Sequence, residues 1–142
     1  MVSSVSFDVC GKISGKGRPR FTRSGRPYTP KATRDYEAAI REAFENAPGR
    51  PPEPFSGPIA VCINTHRQLP KSTPKSVYSE QDTHKPDIDN VAKIVLDALN
   101  GVAWEDDAQV VSLKVLKLNR TRSPERLSVS ITELDRLGEE KL

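Results

Sequence analysis

The amino-acid sequence predicts an α/β protein of the α+β type, with a mixed β-sheet of about four strands packed against two main helices. Two kinds of periodicity and their order carry this expectation. Four short segments alternate apolar and polar residues, and two longer ones repeat apolar residues at spacings of three and four. They follow one another as β, loop, α, β, loop, α, β, β. At 142 residues the chain is long enough for one core and too short for two, so residues 1–142 are expected to form a single domain.

The first strand is expected over Val2 to Val9, where Val5, Phe7 and Val9 share one face. The following GKGRPRFTRSGRPYTPKATR has too few apolar residues to pack as an element of its own and reads as a basic loop. Tyr36, Ala39, Ile40, Ala43 and Phe44 mark an amphipathic helix, with Thr33 as its expected N-cap and Asp35 and Glu37 in its first turn. The prolines of APGRPPEPFSGP then enforce a loop.

Ile59, Val61 and Ile63 define the second strand, and a polar stretch from Gln68 to Thr83 leads to the second helix. Its expected apolar stripe is Ile88, Val91, Ala92, Val95, Leu96 and Leu99, and Asn100-Gly101 suits a left-handed stop. Val111, Leu113 and Val115 predict the third strand. Leu127, Val129 and Ile131, alternating with Ser128, Ser130 and Thr132, predict the fourth.

Composition narrows the function classes. No apolar run approaches the roughly 20 residues that cross a bilayer, so no membrane role is expected. MVSSVSFDVC lacks the basic and apolar regions of a signal peptide. Cys10 and Cys62 stand singly, without zinc-ligand or disulfide spacing, and read as small apolar residues. A reduced, cytoplasmic protein is the expectation.

The net charge is only +3, but its distribution is uneven. Lys12, Lys16, Arg18, Arg20, Arg23, Arg26, Lys31 and Arg34 fall in residues 11–34 with no acid among them. The Arg67–Lys85 and Lys117–Arg126 segments are also basic on balance. Acids concentrate around 87–107, in Asp35–Glu45 and at the C-terminal tail. An acidic spot among basic loops suits a polyanion steered towards bound metal, although each segment alone also fits a solvated surface.

The acidic spot lies in KPDIDNVAKIVLDALNGVAWEDDAQ, Lys85 to Gln109. Asp87, Asp89 and Asn90 open the second helix, and Asp89, Lys93 and Asp97 share the side opposite its apolar stripe. Asp106 and Asp107 follow the next turn. A helix, a turn and a returning strand are expected to bring the two sets of carboxylates together. Asp87, Asp89 and Asp107, with Asp106 as the alternative to Asp107, would suit Mg²⁺, a hard cation that takes few carboxylates and keeps several waters. Such an ion would generate hydroxide and offset charge on a leaving oxygen. Lys93 would stabilise charge developing on a phosphate. Against this stand an ordinary i, i+4 Asp–Lys pair and acids that merely complement the helix dipole.

Other motifs carry less. DIDN lacks the glycine and the twelfth-position glutamate of an EF-hand, and GKGRPR lacks the ending of a P-loop. His66 and His84 read as loop residues able to touch DNA. Trp104 reads as a core or loop anchor, with base stacking as the alternative.

PDIDNVAKIVLDALNG followed by WEDDAQVV closely resembles the RusA family of Holliday junction resolvases, and GKGRPRFTRSG with YTPKATRDYE resembles its phage and prophage branch. The resemblance runs from about Val5 to Leu134. It implies a homodimeric, Mg²⁺-dependent endonuclease, with Mn²⁺ as a second candidate ion, acting on four-way junction DNA in recombination and repair. Two opposed strands would be nicked to leave 5′-phosphate and 3′-hydroxyl ends. By position, the family's metal-binding aspartates fall on Asp87, Asp89 and Asp107, its catalytic lysine on Lys93. The charge pattern adds Arg18, Arg20, Arg23 and Lys31 as expected DNA contacts. The competing readings are a nuclease for flaps or forks, a non-catalytic DNA-binding module, and an interaction protein with a solvated acidic face, which leaves the basic loops unexplained.

Overall fold

The structure, a computed structural model, describes residues 3–140. Its main sheet contains β1 (Ser4–Cys10), β4 (Ile59–His66), β5 (Val110–Lys117) and β6 (Arg126–Glu133) in the order β1-β6-β4-β5. Only the β4–β5 pairing is parallel; β1–β6 and β4–β6 are antiparallel. A two-stranded ribbon, β2 (Arg20–Phe21) and β3 (Pro27–Tyr28), stands apart from this sheet. The helices are α1 (Lys31–Glu45) and α2 (Ile88–Leu99). The expected mixed α+β architecture is thus observed.

The alternation in the strands explains the layering. Val5 faces Ile131, Phe7 faces Val129 and Val9 faces Leu127, while Val61 and Ile63 pair with Ile131 and Val129 from the other side. All are buried in one core with Tyr36, Ile40 and Phe44 of α1 and Val91, Ile94, Val95, Ala98 and Leu99 of α2. The opposite face of the sheet is small and polar, with Ser4–Thr132 and Ser6–Ser130 hydroxyl pairs at 3.3 and 3.1 Å.

Several expectations need correction. The segment read as a basic loop contains the β2–β3 ribbon, held by Thr22 N–H donating to the Arg26 carbonyl, with Gly25 at φ 83° closing the turn. Thr33 does not cap α1. Pro30 holds that position, the first turn has no acid, and the buried Thr33 hydroxyl instead accepts from Gly17 N–H at 3.1 Å. Ile88 is 46% exposed rather than part of the stripe, which runs Val91, Ile94, Val95, Ala98, Leu99. At the end of α2, Asn100 is extended, and Gly101 alone takes the left-handed conformation.

The histidines separate. His66 ends β4 and is buried, its Nδ1 against the Pro124 carbonyl and its Nε2 against the Thr121 hydroxyl. It is a structural residue, not a loop contact. His84 does lie in a loop and is exposed. Cys10 is exposed at the end of β1, and Cys62 is half-buried. Trp104 is completely buried, as a core anchor. Among the described residues no helix is long and apolar enough to cross a membrane.

Candidate active site

β4, α2 and β5 form a parallel crossover, and that topology dictates where the acidic residues lie. A helix joining two parallel strands runs back along them, so its N-terminus sits at their C-terminal ends. This is the end of an open α/β sheet at which ligands usually bind. Asp87 precedes the first turn of α2 in extended conformation and makes no side-chain capping bond, leaving its carboxylate to face outward. Asp89 lies in the first turn, where the helix dipole favours negative charge. Asp87, Asp89 and Lys93 are all exposed, opposite the buried stripe that fixes α2 to the sheet.

Lys85 donates to Asp87 Oδ2 at 2.8 Å. This hydrogen bond is the main reason the Asp87 carboxyl lies below the ordinary carboxylate range. Desolvation acts weakly the other way, and the charges of Lys85 and Lys117 add to the lowering. Asp87 is therefore ionised at neutral pH and already faces a cation.

Asp97 belongs to a different cluster. Lys16 Nζ lies 3.0 Å from Asp97 Oδ2 and 3.0 Å from the buried Glu37, tying the basic segment to both helices. Burial alone would lower the Lys16 pKa, but its bonds to Asp97 and Glu37 outweigh this and raise it.

Asp106 and Asp107 differ in role. The Asp106 side chain accepts from Ala108 N–H and caps the single 3-10 turn Asp107–Gln109. Asp107 Oδ1 accepts from the indole Nε1 of Trp104 at 2.8 Å, which leaves Oδ2 without a hydrogen bond among the described residues. Gln109 braces this turn, accepting from Glu105 and Asp106 N–H and donating to the Phe55 and Gly57 carbonyls.

Asp107 follows a turn closed on the C-terminal end of α2, where Ala103 N–H donates to the Leu99 carbonyl. Asp87 and Asp89 sit at the other end. The 12 residues of α2 span about 18 Å at 1.5 Å per residue. Within one chain, then, α2 separates the two sets that the sequence was expected to bring together. Among the described residues no three His, Cys, Asp or Glu side chains are grouped to hold a metal ion.

The four expected DNA contacts also separate. Arg18 and Arg20 line a groove beside Lys85 and Pro86. Arg23 occupies the ribbon turn, and Lys31 is paired with Asp35 at 2.9 Å on the surface. Part of the downstream basic segment is structural: Arg120, buried, donates twice to the Gln68 carbonyl and once to His84 Nδ1. Arg122 donates to the carbonyls of Pro74 and Val77. These clamps, with the ion pair between Arg67 and the buried Asp82, order the long loop before α2. The isolated arginines give no periodic signal from which their role could be read.

A sheet whose crossover helix opens on exposed carboxylates, beside a groove lined with cations, has the charge pattern of an enzyme that acts on a polyanion. A family model described as Endodeoxyribonuclease RusA matches residues 11–132, and the chain belongs to that family. An uncharacterized Bacillus subtilis (strain 168) protein, YqaN, is 34% identical over 127 residues, covering 80% of this chain and 86% of the relative. The crossover junction endodeoxyribonuclease RusA of Shigella sonnei (strain Ss046) is 28% identical over 120 residues, 84% of this chain and 80% of the relative. Its namesake from Escherichia coli (strain K12) matches a shorter stretch, 43% identical over 54 residues.

Proposed function

We propose that the protein is a Mg²⁺-dependent, structure-selective endonuclease that resolves four-way DNA junctions as a homodimer, by paired nicks, in recombination and repair within the cytoplasm. The observation that carries this reading is the exposed Asp87–Asp89–Lys93 face at the start of α2, flanked by cations, in a chain of the RusA family.

Two carboxylates two residues apart, one of them held ionised by Lys85, fit a hard cation that binds through one or two carboxylates and keeps waters. Asp87 and Asp89 would hold Mg²⁺, or Mn²⁺ in its stead. When bound, such an ion lowers the pKa of a water and offsets charge on the reacting phosphate. Lys93, one turn beyond Asp89, would donate to a non-bridging phosphate oxygen as charge develops. The free Oδ2 of Asp107 is a further oxygen ligand, with its carboxylate aimed by Trp104.

A second copy explains how Asp107 would take part. β5 is one of the sheet's two edge strands, and Val111, Leu113 and Leu116 are 61%, 42% and 43% exposed along it. Antiparallel pairing of two β5 edges about a two-fold axis would cover them. It would also bring Asp107 of one copy to the end of the sheet where the other copy carries Asp87 and Asp89. Two such sites match the two strands to be cut in a junction of near two-fold symmetry.

The test uses labelled four-way junction, matched duplex and flap DNA with Mg²⁺ or EDTA, beside an Asp89→Asn variant. Paired nicks on the junction, lost in EDTA and in the variant, are expected. Binding without cutting under every metal condition would refute the enzyme reading, and preferential flap cleavage would move the substrate to other branched DNA.

A further inference from the structure

A groove of about 550 Å³ lies beside the start of α2 and is lined by Lys12, Arg18, Arg20, Arg67 and Lys85 with no acid among its lining residues. Two of these cations have carboxylate partners nearby: Arg67 pairs with Asp82 and Lys85 with Asp87. Lys12, Arg18 and Arg20 take part in none of the ion pairs among the described residues. Three unpaired cations converging on one concavity repel one another, and an anion of matching length would relieve that repulsion.

The wall that carries them is fixed. A Cβ at Gly15 would meet Pro86 Cβ at 2.7 Å and Asn90 Cβ at 3.0 Å, so this wall touches α2 directly through glycine backbone. Lys16 N–H donates to the Asn90 carbonyl at 3.0 Å, and Gly17 N–H donates to Thr33 Oγ1 at 3.1 Å. The neutralised Lys16 ammonium adds a third tie, so it is a strut and not a contact for DNA. The groove also leads straight to the candidate site, because Lys85 and Pro86 line it and Asp87 is the next residue.

We propose that this groove is the track for the cleaved DNA strand, holding two or three consecutive phosphates on one side of the scissile bond through Lys12, Arg18 and Arg20, with Arg67 and Lys85 at its inner end. The proposal rests on the endonuclease reading and adds to it a binding site and a polarity. The forked guanidiniums suit phosphate oxygens. An open groove with apolar floor residues such as Ile13 and Pro30 suits a sugar-phosphate edge. Arg23 and Lys31 are not among the lining residues, and only peripheral contact is expected of them.

The test measures binding separately from cutting. Affinity for four-way junction DNA is followed against salt in EDTA, for the parent, a Lys12→Gln/Arg18→Gln/Arg20→Gln variant and an Arg23→Gln/Lys31→Gln variant, each confirmed folded by circular dichroism. Each phosphate contact contributes about 0.9 to the slope of log K against log salt, so the triple variant should lose roughly 2 to 3 units and bind about tenfold or more weakly. The Arg23/Lys31 pair should change the slope by less than about 1 unit. Neutral methylphosphonates at two or three positions on one side of the cut should weaken the parent and leave the triple variant unaffected. An unchanged slope in the triple variant, sensitivity spread over both sides of the cut, or equal competition by polyglutamate would overturn the proposal. A parent that binds as expected but never cuts keeps the groove and refutes the nuclease; a triple variant that binds and cuts like the parent does the reverse.

Discussion

The indole of Trp104 donates to Asp107 Oδ1 at 2.8 Å from a fully buried position, so a core residue aims a carboxylate at the rim of the sheet. An Asp107→Asn side chain can keep this bond through its amide oxygen while losing its charge. The variant should therefore unfold within about 1 kcal/mol of the parent, as expected for one neutral hydrogen bond replacing a charged one. Junction cleavage should fall by two orders of magnitude or more. Thermal melts and single-turnover assays on the same preparation check both halves; retained cleavage would remove Asp107 from the site.

Asp106 provides the contrast. Its carboxylate is committed to capping the Asp107–Gln109 turn, and an N-cap aspartate contributes about 1 kcal/mol. Asp106→Ala should lose roughly that much stability and keep most of its turnover at saturating Mg²⁺. A variant as inactive as Asp107→Asn, yet fully folded, would reverse the two roles.

How far the sequence carried can be judged from these residues. Period-two and 3.6-residue patterns located β1, β4, β6 and both helices because burial on one face leaves that mark, whereas β5 shows the same alternation with Val111 and Leu113 exposed. The β2–β3 ribbon leaves none: Arg20, Phe21, Pro27 and Tyr28 are all exposed. Thr33 looked like a cap because its chemistry suits one, yet its hydroxyl is used by Gly17, a partner distant in sequence. The separation of Asp87 from Asp107 was legible in principle. A strand parallel to the one before a helix must start at the helix's far end, but strand order, which decides parallel from antiparallel, is fixed by long-range pairing. The same holds for Lys16, whose acids lie on two different helices.

Lys16 offers a stability prediction. Its ammonium and the Glu37 carboxylate have side-chain exposures of 17% and 12%, so removing one strands the other. Lys16→Met should cost about 2 kcal/mol, in the range for breaking hydrogen bonds to charged groups. Adding Glu37→Gln should return part of it, because the second change removes the uncompensated charge. Urea melts of the four-member cycle give the coupling, and strictly additive losses would deny it.

Gly15→Ala probes the contact between the groove wall and α2. The new methyl would sit 2.7 Å from Pro86 Cβ and 3.0 Å from Asn90 Cβ, neither of them the far end of a flexible side chain. The wall or the Lys85–Asn90 segment must shift, at about 1–3 kcal/mol. Since Asp87 and Asp89 are in that segment, the Mg²⁺ concentration for half-maximal cleavage should rise in this variant. Titration of cleavage against Mg²⁺ measures it; a destabilised protein with an unchanged midpoint would show that the strain is absorbed in the loop.

Tyr36 predicts the alkaline behaviour of the fold. Its hydroxyl is buried without a hydrogen-bond partner among the described residues, and burial, helped by the negative charge of Glu125, pushes its pKa well above the ordinary tyrosine value. In the unfolded chain the phenol ionises near pH 10. Above that pH the unfolded state has released the proton and the native state keeps it, so the unfolded state binds fewer protons and stability falls as pH rises, by up to about 1.4 kcal/mol per pH unit from this group. Below pH 10 the contribution is fully present. Tyr36→Phe removes both the titration and an unsatisfied buried oxygen. The variant should therefore match or exceed the parent by about 0.5–1 kcal/mol at pH 7, where an unpaired polar group is lost, and its advantage should widen between pH 10 and 11. Denaturant melts of the two proteins across that range decide the matter: parallel curves would mean that the native protein ionises Tyr36 as easily as the unfolded chain does.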